Sequence, residues 1–202
     1  MGFRINTNVS SIAAQRALSM NNRKSQNTLN KMSSGSRITK ASDDAAGLAI
    51  SEKLKAQIRS TSQANRNAND GISMVQTAEG GLDEISSMLT RLRELSIQTA
   101  SDTVGDVERG FSNMEYQSLK KEIERIAQVT EFNGTKLLSG EGDKLDFQIG
   151  INNDAFQDRI SYDVKMTDAK LTGLGLADID VSSKLGAQSS LSSIDSAIER
   201  VS

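Results

Sequence analysis

No proline stands anywhere in this chain, and from Ser42 to Ser101 nothing obliges the backbone to leave a helix. Proline removes an amide donor and clashes with the preceding turn, so its absence permits helices of many turns. A helix that long needs an apolar stripe to bury. Ile72, Val75, Leu82, Ile85, Leu89 and Leu92 supply one, and the last four are spaced three, four, three, as in a heptad seam. Farther back, Leu54 and Ile58 are four apart, as are Ala64 and Ala68. Gly71, Gly80 and Gly81 lie inside the run. Each costs about 1 kcal/mol in a helix interior, so either the helix bends there or close packing compensates. At the start, Ser42 or Asp43 is placed to cap the free amides, and the Asp43-Asp44 pair suits the positive end of the helix dipole.

On either side the pattern predicts more helix. Residues 5 to 34 carry a diluted apolar face, with Ile5, Val9, Ile12 and Leu18 among alanines, then Leu29 and Met32. So marginal a helix stays unfolded until something covers it. Ser33-Ser34-Gly35-Ser36 breaks it. After a turn at Ser101 to Asp106, Phe111 and Met114 open a third helix. Its Tyr116, Leu119, Ile123 and Ile126 repeat the three-four-three spacing. The short linker implies an antiparallel pair, with Leu82 to Leu92 lying along Tyr116 to Ile126.

Beyond Val129 the period falls to two. Asn133-Gly134 is turn chemistry with positive φ. Leu145, Phe147 and Ile149 alternate with polar residues, and so do Ile160, Tyr162, Val164 and Met166, so a small antiparallel β unit is expected. Leu171 to Val181 reads as irregular. From Ser189 a helical seam resumes through Leu191, Ile194, Ile198 and Val201, and it stops in mid-pattern at Ser202.

The chain has no His, Cys or Trp. Thiolate and imidazole metal sites, disulfides, and Cys–His or Ser–His–Asp catalysis are therefore outside its chemistry. With a formal charge of −2 and 3% aromatics, it has little with which to neutralise phosphates or stack bases, so no nucleic-acid partner is expected. No stretch of about 20 apolar residues is present, so no membrane span is expected, nor is there a cleavable secretory signal. On these features alone the chain would be placed in the cytosol. Asp43-Asp44 reads as a cap rather than a metal pair. Asn152-Asn153-Asp154 lacks the remainder of a calcium loop and reads as a turn. Gly80-Gly81 lacks the rest of a phosphate loop. The expectation is a non-enzymatic chain without cofactor or metal, whose seams serve association.

These residues, taken together, resemble bacterial flagellin. Phe3-Arg4-Ile5-Asn6-Thr7-Asn8 with Ala13-Ala14-Gln15-Arg16-Ala17-Leu18 is similar to that family's opening signature. So are Ser33 to Ile38 and the block Ala41-Ser42-Asp43-Asp44-Ala45-Ala46-Gly47-Leu48-Ala49-Ile50. Asp70-Gly71-Ile72-Ser73, Thr77-Ala78-Glu79-Gly80, Arg93-Glu94-Leu95, Glu131-Phe132-Asn133-Gly134 and Ser192 to Ile198 follow in order. The resemblance implies a structural subunit of the flagellar filament, extracellular and exported by the flagellar type III apparatus, which replaces the cytosolic expectation. Its implied partners are other subunits of the same kind, hook-associated and cap proteins, and the export apparatus. A hook–filament junction protein or a generic coiled-coil adaptor are the alternatives, and the Glu131-Phe132-Asn133-Gly134 block favours the filament protein. A zinc protease insert, found in some members, needs His and is excluded.

The implied fold is mainly α, with long antiparallel helices packed as a coiled-coil-like rod and a small antiparallel β-hairpin region. Residues 1–43 would form an inner-tube helix and connecting spoke, and 44–129 the helical rod core. Residues 130–188 would form a small β-rich outer segment, and 189–202 the start of a returning helix. The core and self-assembly seam would comprise Leu82, Ile85, Leu89, Leu92, Tyr116, Leu119, Ile123 and Ile126. In this family an innate immune Toll-like receptor contacts an Arg, a Leu four residues on and a Glu of the next helix, here Arg91, Leu95 and Glu115. Thr90 and Leu119 depart from the pattern of strongly recognised members. Without the family's long returning helix, the 202 residues alone are not expected to polymerise normally.

Overall fold

The computed structural model describes residues 8–202. The readings that touch Phe3 to Thr7, including Ile5, lie outside the described residues. Among the described residues, five helices and four short strands occur in the order α1 (Val9–Ser34), α2 (Ala45–Thr99), α3 (Asp106–Val129), β1 (Glu131–Phe132), β2 (Thr135–Lys136), β3 (Leu145–Gln148), β4 (Arg159–Tyr162), α4 (Leu171–Leu174) and α5 (Lys184–Val201). The fold is mainly α with two antiparallel hairpins, as the sequence implied. By its contacts the chain divides into two units, Met1–Ser60 and Thr61–Ser202.

In the first unit, Asn8 caps α1 by accepting from the Ser11 amide, and Gly35 ends the helix at φ 62°. No residue of α1 is buried. The cap of α2 is neither Ser42 nor Asp43 but Asp44, whose Oδ1 accepts from the Gly47 amide at 2.8 Å. Asp43 instead accepts from the amide and hydroxyl of Thr39 and pairs with Lys31 at 3.4 Å. These contacts hold its carboxyl below the usual range, the Thr39 amide contributing most. Adjacent acidic residues thus divide two tasks: Asp44 stands at the cap position, immediately before Ala45, while Asp43 is committed to Thr39 and Lys31.

In the second unit, the C-terminal half of α2 packs against α3 and α5. Both lie antiparallel to it. Arg91 meets Glu115 and Arg109 meets Thr99, while Arg93 meets Asp195 and Lys184 meets Asp102. The buried line on α2 is Met74, Ala78, Ile85, Leu89, Leu92, Ser96 and Thr99. Ile72 and Val75, expected on the seam, are instead exposed. Heptad phase selects Met74 and Ala78, and the bulkier aliphatics flank the line.

The glycines inside α2 do not break it. Gly81 is in close packing: a Cβ there would lie 2.8 Å from Leu138 and 2.9 Å from Thr130. Gly80, next to it, faces open space. The β1–β2 hairpin turns through Asn133 at φ 51° and Gly134 at φ 78°, both positive as a type I′ turn requires. It leads directly into the fully buried Leu137 and Leu138. In the second hairpin Leu145 pairs with Tyr162 and Phe147 with Ile160. The alternation expected to continue through Ile149 and out to Met166 ends sooner, because Val164 turns into the core and Met166 projects to solvent. Residues 171–181 include the one-turn helix α4. Helix α5 begins at Lys184, not Ser189, because Ser183 accepts from the Gly186 amide and starts it a turn earlier.

The two adjacent glycines give a discriminating experiment. Gly80→Ala should stabilise the chain by about 0.5–1 kcal/mol through helix propensity. Gly81→Ala should destabilise it by about 1–3 kcal/mol through overpacking against Leu138 and Thr130. Urea denaturation followed by circular dichroism measures both.

Candidate functional site

The residues singled out as the seam are brought together. Ile85, Leu89, Leu92, Tyr116 and Ile123 are fully buried, and Leu82, Leu119 and Ile126 pack half-buried against them. Ile194 and Ala197 of α5 complete the core from the other side. The seam is thus closed within the chain and fixes which outer faces the helices present.

Polar groups sit inside this core. The Ser190 hydroxyl donates to the Ser96 hydroxyl at 2.9 Å or to the Ala187 carbonyl at 2.8 Å. Among the described residues, the Tyr116 hydroxyl is the one buried side-chain polar atom without a partner. Burial pushes its phenol pKa up, and the neighbouring Ser96 and Ser190 hydroxyls oppose this only in part. Lys120 donates to the carbonyls of Ala177 (2.9 Å) and Ile179 (2.8 Å), fastening the segment before α5 onto α3. Burial lowers its ammonium pKa, against the pull of Asp178 and Asp180. Arg109 closes the turn between α2 and α3 by donating to the carbonyls of Thr99 and Ser101 while pairing with Asp106. Sequence reasoning placed Tyr116 on the seam but missed Ser96 and Ser190, and also Arg109 and Lys120. Their one sequence signal is that Arg109, Tyr116, Lys120, Ile123 and Ala127 share the buried line of α3.

On the exposed flank, Arg91 bridges two carboxylates. Its guanidinium lies 2.9 Å from Glu94 on the same helix and 2.9 Å from Glu115 on α3. The hydrogen bonds it donates to Glu94 and then to Glu115 raise its pKa further. Leu95, expected on the same face as Arg91, is 2% exposed and belongs to the core. The structure therefore joins Arg91 to Glu115 and places Leu95 in the core.

Among the described residues, no cluster of three or more acidic, His or Cys side chains could hold a metal, and no helix is long and apolar enough to cross a membrane. An apolar cavity of about 250 Å³ lies between α2 and the β3–β4 hairpin, lined by Ile72, Val75, Phe147, Ile149, Ile160 and Tyr162 among others. None of its lining residues is charged. What this geometry offers is surfaces in fixed relation to one another.

The bacterial flagellin N-terminal helical region matches residues 5–143. A flagellin of Halalkalibacterium halodurans is 43% identical over 98% of this chain, which covers 72% of that protein. A 30.7 kDa core protein of the flagellar filament of Treponema maltophilum is 39% identical over 98% of this chain, covering 73% of that protein. Flagellin E of Vibrio cholerae is 46% identical over 76% of this chain but is spanned for only 40% of its length. The crystal structure of a Bacillus cereus flagellin superimposes with a TM-score of 0.57 at 27% identity, covering 67% of this chain and 76% of that one.

Tyr116 yields a pH-dependent prediction. Its folded pKa lies above the unfolded value of about 10, so its contribution to stability is present below pH ~10 and is lost as pH rises through the folded pKa. Tyr116→Phe removes an unsatisfied buried hydroxyl and should fold at least as stably at pH 8. The stability difference, variant minus parent, should grow in the variant's favour between pH 9 and 11 in urea titrations.

Proposed function

Because the chain belongs to the bacterial flagellin family, we propose that it serves as a structural subunit of the extracellular flagellar filament, polymerising with further copies of its kind. The observation that carries this reading is the combination of the family's N-terminal helical region over residues 5–143 with a closed, apolar three-helix seam. A polymer needs identical subunits presenting identical faces. A seam fully consumed inside each copy gives every copy the same ones. The hook–filament junction and generic coiled-coil alternatives are not favoured.

Helix α1 has the character of an interface element. Its 26 residues include none that is buried, and it exposes Val9, Leu18, Met20, Leu29 and Met32. Such a helix gains stability by being covered, and in this reading the cover is the inner tube of the filament. Export through the flagellar type III apparatus, and contact with hook-associated and cap proteins, belong to the same proposal. The division into residues 1–43, 44–129, 130–188 and 189–202 belongs to the same proposal, with its last boundary moved back to Lys184, where α5 begins. The Toll-like receptor contact would use the exposed Arg91 and Glu115 pair, with Leu95 supporting both from within the core.

Leu89→Asp tests the reading. An uncompensated carboxylate in the seam should cost more than about 4 kcal/mol, most of a typical domain's stability. Cells whose filament subunit contains these 202 residues should then carry no filaments in negative-stain electron microscopy. Arg93→Ala removes an exposed ion pair worth about 1 kcal/mol or less and should leave filaments in place. Filaments in the Leu89→Asp strain would refute the role of the seam.

A further inference from the structure

We propose that Asn133 is a site of spontaneous chemical modification, at which the chain converts its own asparagine to aspartate and isoaspartate. The chemistry needs an asparagine followed by a residue whose backbone nitrogen can reach the side-chain carbonyl carbon. That nitrogen loses its proton and bonds to Cγ, the Cγ–Nδ2 bond breaks, and ammonia leaves with a proton. A five-membered succinimide remains. Water then adds to either carbonyl and opens the ring, giving aspartate when one C–N bond breaks and isoaspartate when the other does. No oxidant or enzyme takes part. A following glycine favours ring closure because it has no side chain to obstruct it.

Asn133 is the one asparagine in the chain followed by glycine. Both residues are exposed, and a Cβ placed on Gly134 would meet nothing within 4 Å. The Gly134 amide lies at the apex of the hairpin, outside the Glu131–Lys136 and Phe132–Thr135 pairs. Of the remaining described asparagines, all but the exposed Asn152, which is followed by Asn153 and not by glycine, are held differently. Asn21, Asn22, Asn27 and Asn30 are inside α1, Asn65, Asn67 and Asn69 inside α2, and Asn113 inside α3, where the helix fixes the backbone. Asn8 spends its Oδ1 on capping α1, and the Oδ1 of Asn153 accepts from Arg159. Asp70-Gly71, which could form the same ring by losing water, is locked within α2.

The product is not neutral to the fold. Either acid adds a negative charge at the hairpin tip. Isoaspartate also inserts one more atom into the backbone of a two-residue turn whose geometry sets the pairing register. That hairpin runs from Thr130, which packs against Gly81, to the buried Leu137 and Leu138. Isoaspartate should therefore unpair Phe132 from Thr135.

The test is to hold the purified chain at 37 °C at pH 7.4 and pH 8.5, and to sample it by isoelectric focusing and peptide mass spectrometry over several weeks. The expected result is one dominant acidic species, its change mapped to Asn133, with isoaspartate and aspartate both present and the rate higher at pH 8.5. Asn133→Gly keeps a turn-compatible residue pair and should abolish that species while the chain stays folded by circular dichroism. A synthetic peptide spanning residues 129–138 serves as the unconstrained reference. The proposal is overturned if the peptide loses its amide while Asn133 of the folded chain keeps its own. It is equally overturned if another asparagine converts first, or if the acidic species persists in Asn133→Gly.

Discussion

Everything beyond Ser60 is organised by one constraint: the C-terminal half of α2 must bury two flanks of its surface, one against α3 and one against α5. Ile85, Leu89 and Leu92 lie where both neighbours reach them, and each is fully buried. The connections are shaped to permit this. Arg109 closes the turn that brings α3 back, and Lys120 fastens the segment that delivers α5. Both are cations drawn into a largely apolar interior, and both use backbone carbonyls as their partners. A carbonyl satisfies a buried donor while ordering the chain that bears it, so each cation fixes a loop as well as filling a core position.

How far the sequence made this legible depends on the range of the interaction. The Asn133-Gly134 turn was plain because its cause lies in two neighbouring residues. The three-four-three seams of α2 and α3 were plain because periodicity accumulates over many turns. Ile72 and Val75 misled because size was mistaken for phase; Met74 and Ala78 hold the buried line. Leu95 misled in another way. A spacing of four sets it beside Arg91, but that spacing does not say on which side of the boundary between core and solvent it falls. The Ser96–Ser190 contact and the anchoring of Ala177 by Lys120 join residues 94 and 57 positions apart, and no local pattern encodes them. The start of α5 lies earlier than the seam suggests because its first turn contributes to the core only a small residue, Ala187, where the seam beyond has Leu or Ile.

Charge is partitioned along the chain to a degree the net value of −2 conceals. Residues 1–42 hold seven Lys or Arg and no Asp or Glu, while the acidic excess falls entirely beyond them. The influence of these exposed charges falls off within a Debye length of about 8 Å at physiological salt.

The unburied α1 has a thermodynamic corollary. A helix that draws no stability from its own unit's core must draw it from whatever surface comes to cover it, and that contribution grows with the abundance of the surface. Any surface that covers α1 adds to the helix a stability that rises by mass action as that surface accumulates, so its stability is set by the solution as much as by the sequence.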